Sequence, residues 1–389
     1  MMFGCQRWLR INRARRLRSC SWTARVALLL LVGAPAHCLG EVDPRGGQFI
    51  GFTRFSHFNR SAGSRPGEVV LTSRVINTRI DWDELVVSWN ATAPDGTYLK
   101  VEARGFRFRQ PTPYYNLGLW SPNPARFPRE SVLNQADEKG DVATDTLVLK
   151  QRCQQVQIRL TLGGEDALQP ELKFLGLCLT DTTATPPSLD PNRGAWGKVL
   201  PVPERSQMVY PNGNVICSPT TISMMMGLWA QRLHRPELDL EVPEIVKAVY
   251  DTNWKGTGNW VFNTAYAGSY PGMRSYVTRL TDLSELEDWI AGGFPVGLSL
   301  CYDRLRGRPG GPSGHLVVCV GFTPQGDPIL NDPGTRDNVQ KVFKRKNLEY
   351  AWAYSRNAAY VIYPETAAVP KDRFGHWHSW TSTRRIRFD

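Results

Sequence analysis

Cys217, His315 and the Asn331-Asp332 pair are residue types that together could carry out nucleophilic acyl transfer. A thiol needs a general base within hydrogen-bond reach, and that base needs a third group to fix its tautomer and orientation. Cys217 heads the run Cys217-Ser218-Pro219-Thr220-Thr221-Ile222-Ser223-Met224-Met225-Met226-Gly227-Leu228-Trp229-Ala230. Ser218 is expected to be the N-cap of a helix and Pro219 its first residue. Ile222, Met225, Met226, Trp229 and Leu233 then recur along one helical face. Cys217 would stand just ahead of the first turn, where free N–H groups and the helix dipole favour a thiolate. A buried structural cysteine is the plain alternative, and the helix alone does not choose between them.

The chain has six histidines. His37 lies in an N-terminal basic and apolar segment, His57 in the other half, His234 at the polar end of the same helix, and His376 and His378 in a tail. His315 alone opens an apolar strand, after the glycine-rich turn 306–314. The next strand ends in Asn331-Asp332-Pro333-Gly334, and in a meander that end lies beside the start of the His315 strand. Asp332 or Asn331 could then accept from the far ring nitrogen. Asp-Pro-Gly is also a good turn in any protein.

The elements that would position these groups form an α+β layout. A second helix is expected at 241–250, then a Gly- and Trp-rich segment at 254–260. A third helix is expected at 284–291, with Ser284 as cap and Glu287 closing a capping box. Strands follow at 295–300, 315–322 and 328–331, and 359–363 closes the sheet. No pair of cysteines has metal-ligand spacing, and no cofactor is called for.

Residues 41–180 read differently. Period-two runs at 68–72, 85–89, 98–104, 145–149, 156–162 and 172–179, with a Pro94-Asp95-Gly96 hairpin turn, suit an all-β sandwich. Asp83 and Glu84 are adjacent on a strand and point to opposite faces, so they cannot flank one glycosidic bond. Trp89, Tyr114, Tyr115 and Trp120 could stack on a sugar but are more simply core. Asn59-Arg60-Ser61 and Asn90-Ala91-Thr92 match the glycosylation pattern. Cys153 and Cys178 lie on apparent strands and could pair in an exported protein, while Cys301 and Cys319 read as buried small hydrophobes. The Thr- and Pro-rich stretch from 181 to 198 is a linker.

The net charge of +11 suggests nucleic acid until its position is examined. Arg7, Arg10, Arg13, Arg15, Arg16, Arg18 and Arg25 precede an apolar run too short to span a bilayer, and the whole reads as a signal peptide over residues 1–40. Its loss removes those seven charges and leaves +4, so no nucleic-acid partner and no stable membrane span are expected. Cys5, Cys20 and Cys38 fall in that segment. The expectation is an exported protein, periplasmic, cell-surface or extracellular. Its tail, 367–389, ends with Arg384, Arg385 and Arg387 as a solvated end.

Gln207, then Cys217-Ser218-Pro219-Thr220 opening a helix, then Gly314-His315-Leu316-Val317-Val318, then Asn331-Asp332-Pro333, resembles the papain-like bacteriocin-processing (double-glycine) peptidase family. More closely it resembles the exported bacterial proteins carrying that peptidase-like domain. The match covers about 200 to 365, within a second domain drawn at 199–366. The resemblance implies a papain-like fold in which Cys217 attacks the carbonyl, His315 is base and then acid, Asp332 orients His315, and Gln207 donates to the oxyanion. Ser218 departs from the glycine or alanine that commonly follows the nucleophile. No G-x-x-x-x-G-K-[ST] motif of an export transporter occurs, so leader cleavage after a double glycine is not implied. The expected function is a thiol hydrolase acting on a peptide or protein substrate, with the sandwich presenting substrate or tethering the enzyme and a cell-wall or surface ligand as its candidate partner. The alternatives are a non-catalytic binding protein that keeps the fold, and a thiol transferase.

Overall fold

The computed structural model describes residues 44–377. The expected signal segment, with its three cysteines and His37, lies outside the described residues, as do His378 and the arginines at the end of the tail.

Alternating residues in the first half form ten antiparallel strands: β1 (Gly47–Phe52), β2 (Asn59–Ala62), β3 (Val69–Thr72), β4 (Ile76–Thr92), β5 (Thr97–Arg107), β6 (Gln110–Pro111), β7 (Tyr115–Trp120), β8 (Gly140–Ala143), β9 (Thr146–Gly164) and β10 (Glu171–Thr180). One edge of β9 pairs with β4 and then β3, the other with β8 and then β5. The β4/β9 ladder slips around Trp82, and such bulges bend the strands. The result is the all-β region expected, in half-barrel form. Gly96 takes φ 77° in the turn between β4 and β5, as Pro94-Asp95-Gly96 requires.

Two expectations for this half are corrected, the Cys153–Cys178 pairing and the Asn90 acceptor site, while the core reading of Trp89, Tyr115 and Trp120 holds. Cys153 and Cys178 are free and buried. Cys178 is opposite Val86 on one side of β4, and Cys153 is opposite Trp82 on the other. Two ladder spacings of about 4.8 Å already exceed the roughly 7 Å Cα separation a disulfide tolerates. Trp89, Tyr115 and Trp120 are buried core. Tyr114 has the Arg104 and Arg159 guanidinium groups over its ring, at 4.4 and 4.0 Å. Asn90 is fully buried, and its carboxamide exchanges hydrogen bonds with the Ser275 backbone at 2.7 and 3.1 Å. Asp83 and Glu84 diverge as argued. Asp83 accepts from Thr182, while Glu84 forms ion pairs with Arg279 and Arg356 at 2.7 and 2.6 Å.

The second half runs α1 (Cys217–Leu233), α2 (Val242–Val249), α3 (Trp260–Ser269), β11 (Met273–Arg279), α4 (Leu283–Ala291), β12 (Val296–Cys301), α5 (Tyr302–Leu305), β13 (Gly314–Phe322), β14 (Pro328–Asn331), β15 (Gln340–Val342), α6 (Arg345–Trp352) and β16 (Ala358–Pro364). Its six strands form one antiparallel sheet in the order β11-β16-β12-β13-β14-β15. Helix α1 is buried from Cys217 to Ala230, the mark of a central helix and not of a one-faced surface helix.

Two caps differ from expectation. Helix α1 begins at Cys217 itself with Ile216 as N-cap, because the Ser218 hydroxyl is drawn inward to the Tyr360 hydroxyl at 2.9 Å. Helix α4 is capped by Asp282, whose Oδ1 accepts from the Ser284 N–H at 2.9 Å. Glu285 reaches back to the Thr281 N–H, and Glu287 instead accepts from the Trp196 indole.

The halves are fastened through β11 and α3. Tyr276 packs against Phe49 and Phe174, and Asp145 accepts from the Trp260 N–H at the start of α3. Beyond β16, Trp377 is buried against Trp289 and the Gly375 carbonyl accepts from Phe49 N–H at 2.6 Å. No helix among the described residues is long and apolar enough to cross a membrane.

Candidate active site

The sheet register assembles the candidate residues. Val318 of β13 pairs with Asn331 of β14. Extended three residues further, the same register sets Gly334 beside His315 and leaves Asp332 as its diagonal neighbour on one face. A Cβ on Gly334 would lie 3.1 Å from both Asp332 Oδ1 and His315 Cε1, so the turn passes close over the pair. Helix α1 delivers Cys217 from the other side.

His315 is the meeting point. Its Nε2 is 2.8 Å from Asp332 Oδ1, and its ring also hydrogen-bonds the Cys217 thiol. With Nε2 committed to the carboxylate, Nδ1 is left for the sulfur. All three side chains are buried, at 4, 5 and 1% exposure for Cys217, His315 and Asp332. Burial lowers the proton affinity of His315, but the Asp332 and Cys217 contacts raise it further, to about 9. Burial likewise works to raise Asp332, yet the His315 hydrogen bond and charge, the Tyr302 hydroxyl and the Gly334 N–H hold it below the usual carboxylate range. An ionised aspartate and a protonated imidazole are therefore the stable partners around neutral pH.

Asn331, the other orienting candidate, is occupied elsewhere. Its amide donates to the Val202 carbonyl at 3.2 Å and its oxygen accepts from Gln340. Gln207 lies on a short 3-10 turn whose N–H donates to the Pro333 carbonyl at 2.9 Å, tying it to the turn that carries Asp332. Its carboxamide is buried and Oε1 has no hydrogen-bond partner. Gly213 allows the return of that loop, since a Cβ there would lie 2.4 Å from the Gln207 carbonyl oxygen.

Sequence reading missed Tyr302. Its hydroxyl donates to Asp332 Oδ2 at 2.7 Å, its ring lies 4.2 Å from the His315 ring, and the Arg306 guanidinium sits 3.8 Å from its centre. The signal was the pairing of β12 with β13. Cys301 opposes Gly314, and one step on the Tyr302 N–H donates to the Ser313 carbonyl.

Residues 67–180 match the Peptidase C39 N-terminal domain, and residues 199–360 match the Peptidase_C39 like family. The chain has the architecture of the C39-like peptidase family. Among solved structures, a candidate C39-like peptidase from Bacillus anthracis is similar at 16% identity and TM-score 0.33, over 43% of this chain and 97% of that one. That likeness is too distant to bear on the site. No curated protein matches the chain in sequence.

Proposed function

We propose that this C39-like protein is an exported thiol peptidase, cleaving peptide or related amide bonds through Cys217, His315 and Asp332. The supporting observation is a single imidazole hydrogen-bonded at once to a thiol and to a carboxylate that come from separate parts of the chain. His315 takes the thiol proton and the sulfur adds to the substrate carbonyl. The resulting oxyanion is held by the Cys217 backbone N–H and the Gln207 carboxamide. Collapse breaks the C–N bond, His315 protonates the departing amine, and a water deprotonated by His315 releases the acid from the thioester.

Profiling new protein termini in cultures carrying the active protein or Cys217→Ala tests the reading. Termini that depend on Cys217 are expected; identical profiles would overturn it. Export rests on the basic and apolar stretch before residue 41, and recovery of the intact chain only from the cytosol would remove that part.

A binding role for the first half has its own support. A cavity of about 430 Å³, within the range of ligand sites, is lined by Glu68, Tyr98, Lys100, Glu102, Phe127 and Arg159 among others, all from that half. We read it as the place where a cell-wall or surface ligand would be engaged. Retention of Cys217→Ala protein on isolated walls, lost in Lys100→Ala with Arg159→Ala, is the expected result; unchanged retention would contradict it.

A further inference from the structure

Asp332 has two carboxylate oxygens, and the catalytic scheme uses one. Oδ1 receives His315 and the Gly334 N–H, while Oδ2 receives the Tyr302 hydroxyl. At 1% exposure, Asp332 has little water to take the place of any of these donors. The same tyrosine lays its ring against the imidazole, so one side chain fixes both members of the His315–Asp332 pair.

We propose that Tyr302 is a positioning residue of the thiol site, setting the lower edge of the pH range over which the Cys217–His315 pair is active. This inference rests on the peptidase reading above. The argument is one of charge. A neutral phenol donating to a buried carboxylate stabilises its ionised form. The burial of Tyr302 and its Asp332 neighbour push its own proton loss well above the ordinary tyrosine range, so it remains a donor throughout. Without the hydroxyl, Oδ2 is a buried oxygen with one partner fewer, and Asp332 takes up a proton at higher pH. A protonated Asp332 no longer supports the imidazolium, and the thiolate it sustains is lost with it.

Three groups face this pair: Arg306 lies over the outer tyrosine ring, Gly334 N–H donates to Oδ1, and Cys217 lies beyond the imidazole. Asp303, the residue after Tyr302, is engaged by the Ser313 hydroxyl at 2.9 Å and by Arg306 at 3.4 Å.

The test reads the rate of Cys217 alkylation by iodoacetamide against pH, which needs no knowledge of the substrate. Tyr302→Phe keeps the ring and removes the donor. Its acid limb is expected to rise by about one pH unit, a roughly tenfold loss of rate at a pH on that limb. In an Asp332→Asn background the same change should shift nothing further, since the partner is already gone. A lowered melting temperature with an unmoved limb would mean a merely structural tyrosine and overturn the proposal. If the variant does not fold, the wild-type protein decides: a slowly exchanging tyrosine hydroxyl proton in its NMR spectrum, abolished by Asp332→Asn, supports the role, and its absence refutes it. Failure of the peptidase reading looks different, since wild-type Cys217 would then alkylate as an ordinary thiol.

Discussion

Among the described residues two histidine–carboxylate pairs are buried, and they do opposite things. His315 and Asp332 meet at 2.8 Å; His376 and Glu285 stand 3.5 Å apart where the end of the described chain docks on α4. Asp332 gathers three donors and stays ionised, whereas at Glu285 burial outweighs the Thr281 contacts and raises its proton affinity to about 7. Only the first pair has a thiol on the other side of its imidazole. A buried imidazole beside a carboxylate thus does not by itself make a thiol site; the donors on the carboxylate and the third group distinguish the two pairs. His376 sits instead among Trp377, Phe374 and the Asp372 cap, in a clasp joining the C-terminal segment to α4.

The largest test of this contrast is the nucleophile. Cys217→Ala is expected to reduce turnover by about 10⁴-fold or more, as removal of a triad member does, with the melting temperature little changed. His376→Ala should do the reverse, leaving turnover intact and lowering the melting temperature. Kinetics and calorimetry on both variants check this.

Asp332→Asn comes next, with turnover expected to fall by about 10²- to 10⁴-fold. The wild-type rate should also decline on the alkaline side as His315 loses its proton near pH 9. The sign follows from the folded value lying above the unfolded one of about 6.5, so the favourable charge is complete below about 6.5 and gone above about 9. In Asp332→Asn that limb should move down toward 6.5; a limb unmoved in a pH–rate profile would show that the pair is not what holds the proton.

Gln207→Ala should cost roughly 10²- to 10³-fold in kcat with KM nearly unchanged, the pattern of a lost oxyanion donor. A raised KM with kcat unchanged would make it a substrate contact instead.

The smallest effect belongs to the second pair. Glu285 binds its proton more tightly folded than unfolded, so it costs stability as pH rises from the ordinary glutamate range to about 7. Glu285→Gln should flatten that part of the melting curve against pH, a difference of roughly 2–4 °C. A parallel curve would place the titration elsewhere.

How much of this was legible in the sequence depends on where each residue sits in its element. Cys217, His315 and Asp332 lie at the ends of a helix and two strands, where type and boundary are both readable. Tyr302 and Gly334 depend on strand register, which no local pattern reveals. β11 was missed because Met273-Arg274-Ser275-Tyr276-Val277-Thr278-Arg279 is buried at every position, with sheet partners on one edge and the first half packed against it, so it does not alternate. Ser284 lost its cap to Asp282, two residues upstream, since both satisfy the same preference and only packing chooses between them. His376 reads as part of a tail because one histidine among Phe374, Gly375 and Trp377 carries no periodicity, though Trp377 anchors it in the core.

The most direct test of the central claim compares iodoacetamide alkylation of Cys217 at pH 6 in the wild-type protein and in His315→Gln. An activated sulfur predicts labelling well ahead of a free thiol, whose ionisation near 8.5 leaves it almost inert at that pH, and a collapse to the free-thiol rate in the variant. Equal, slow labelling in both would contradict the account.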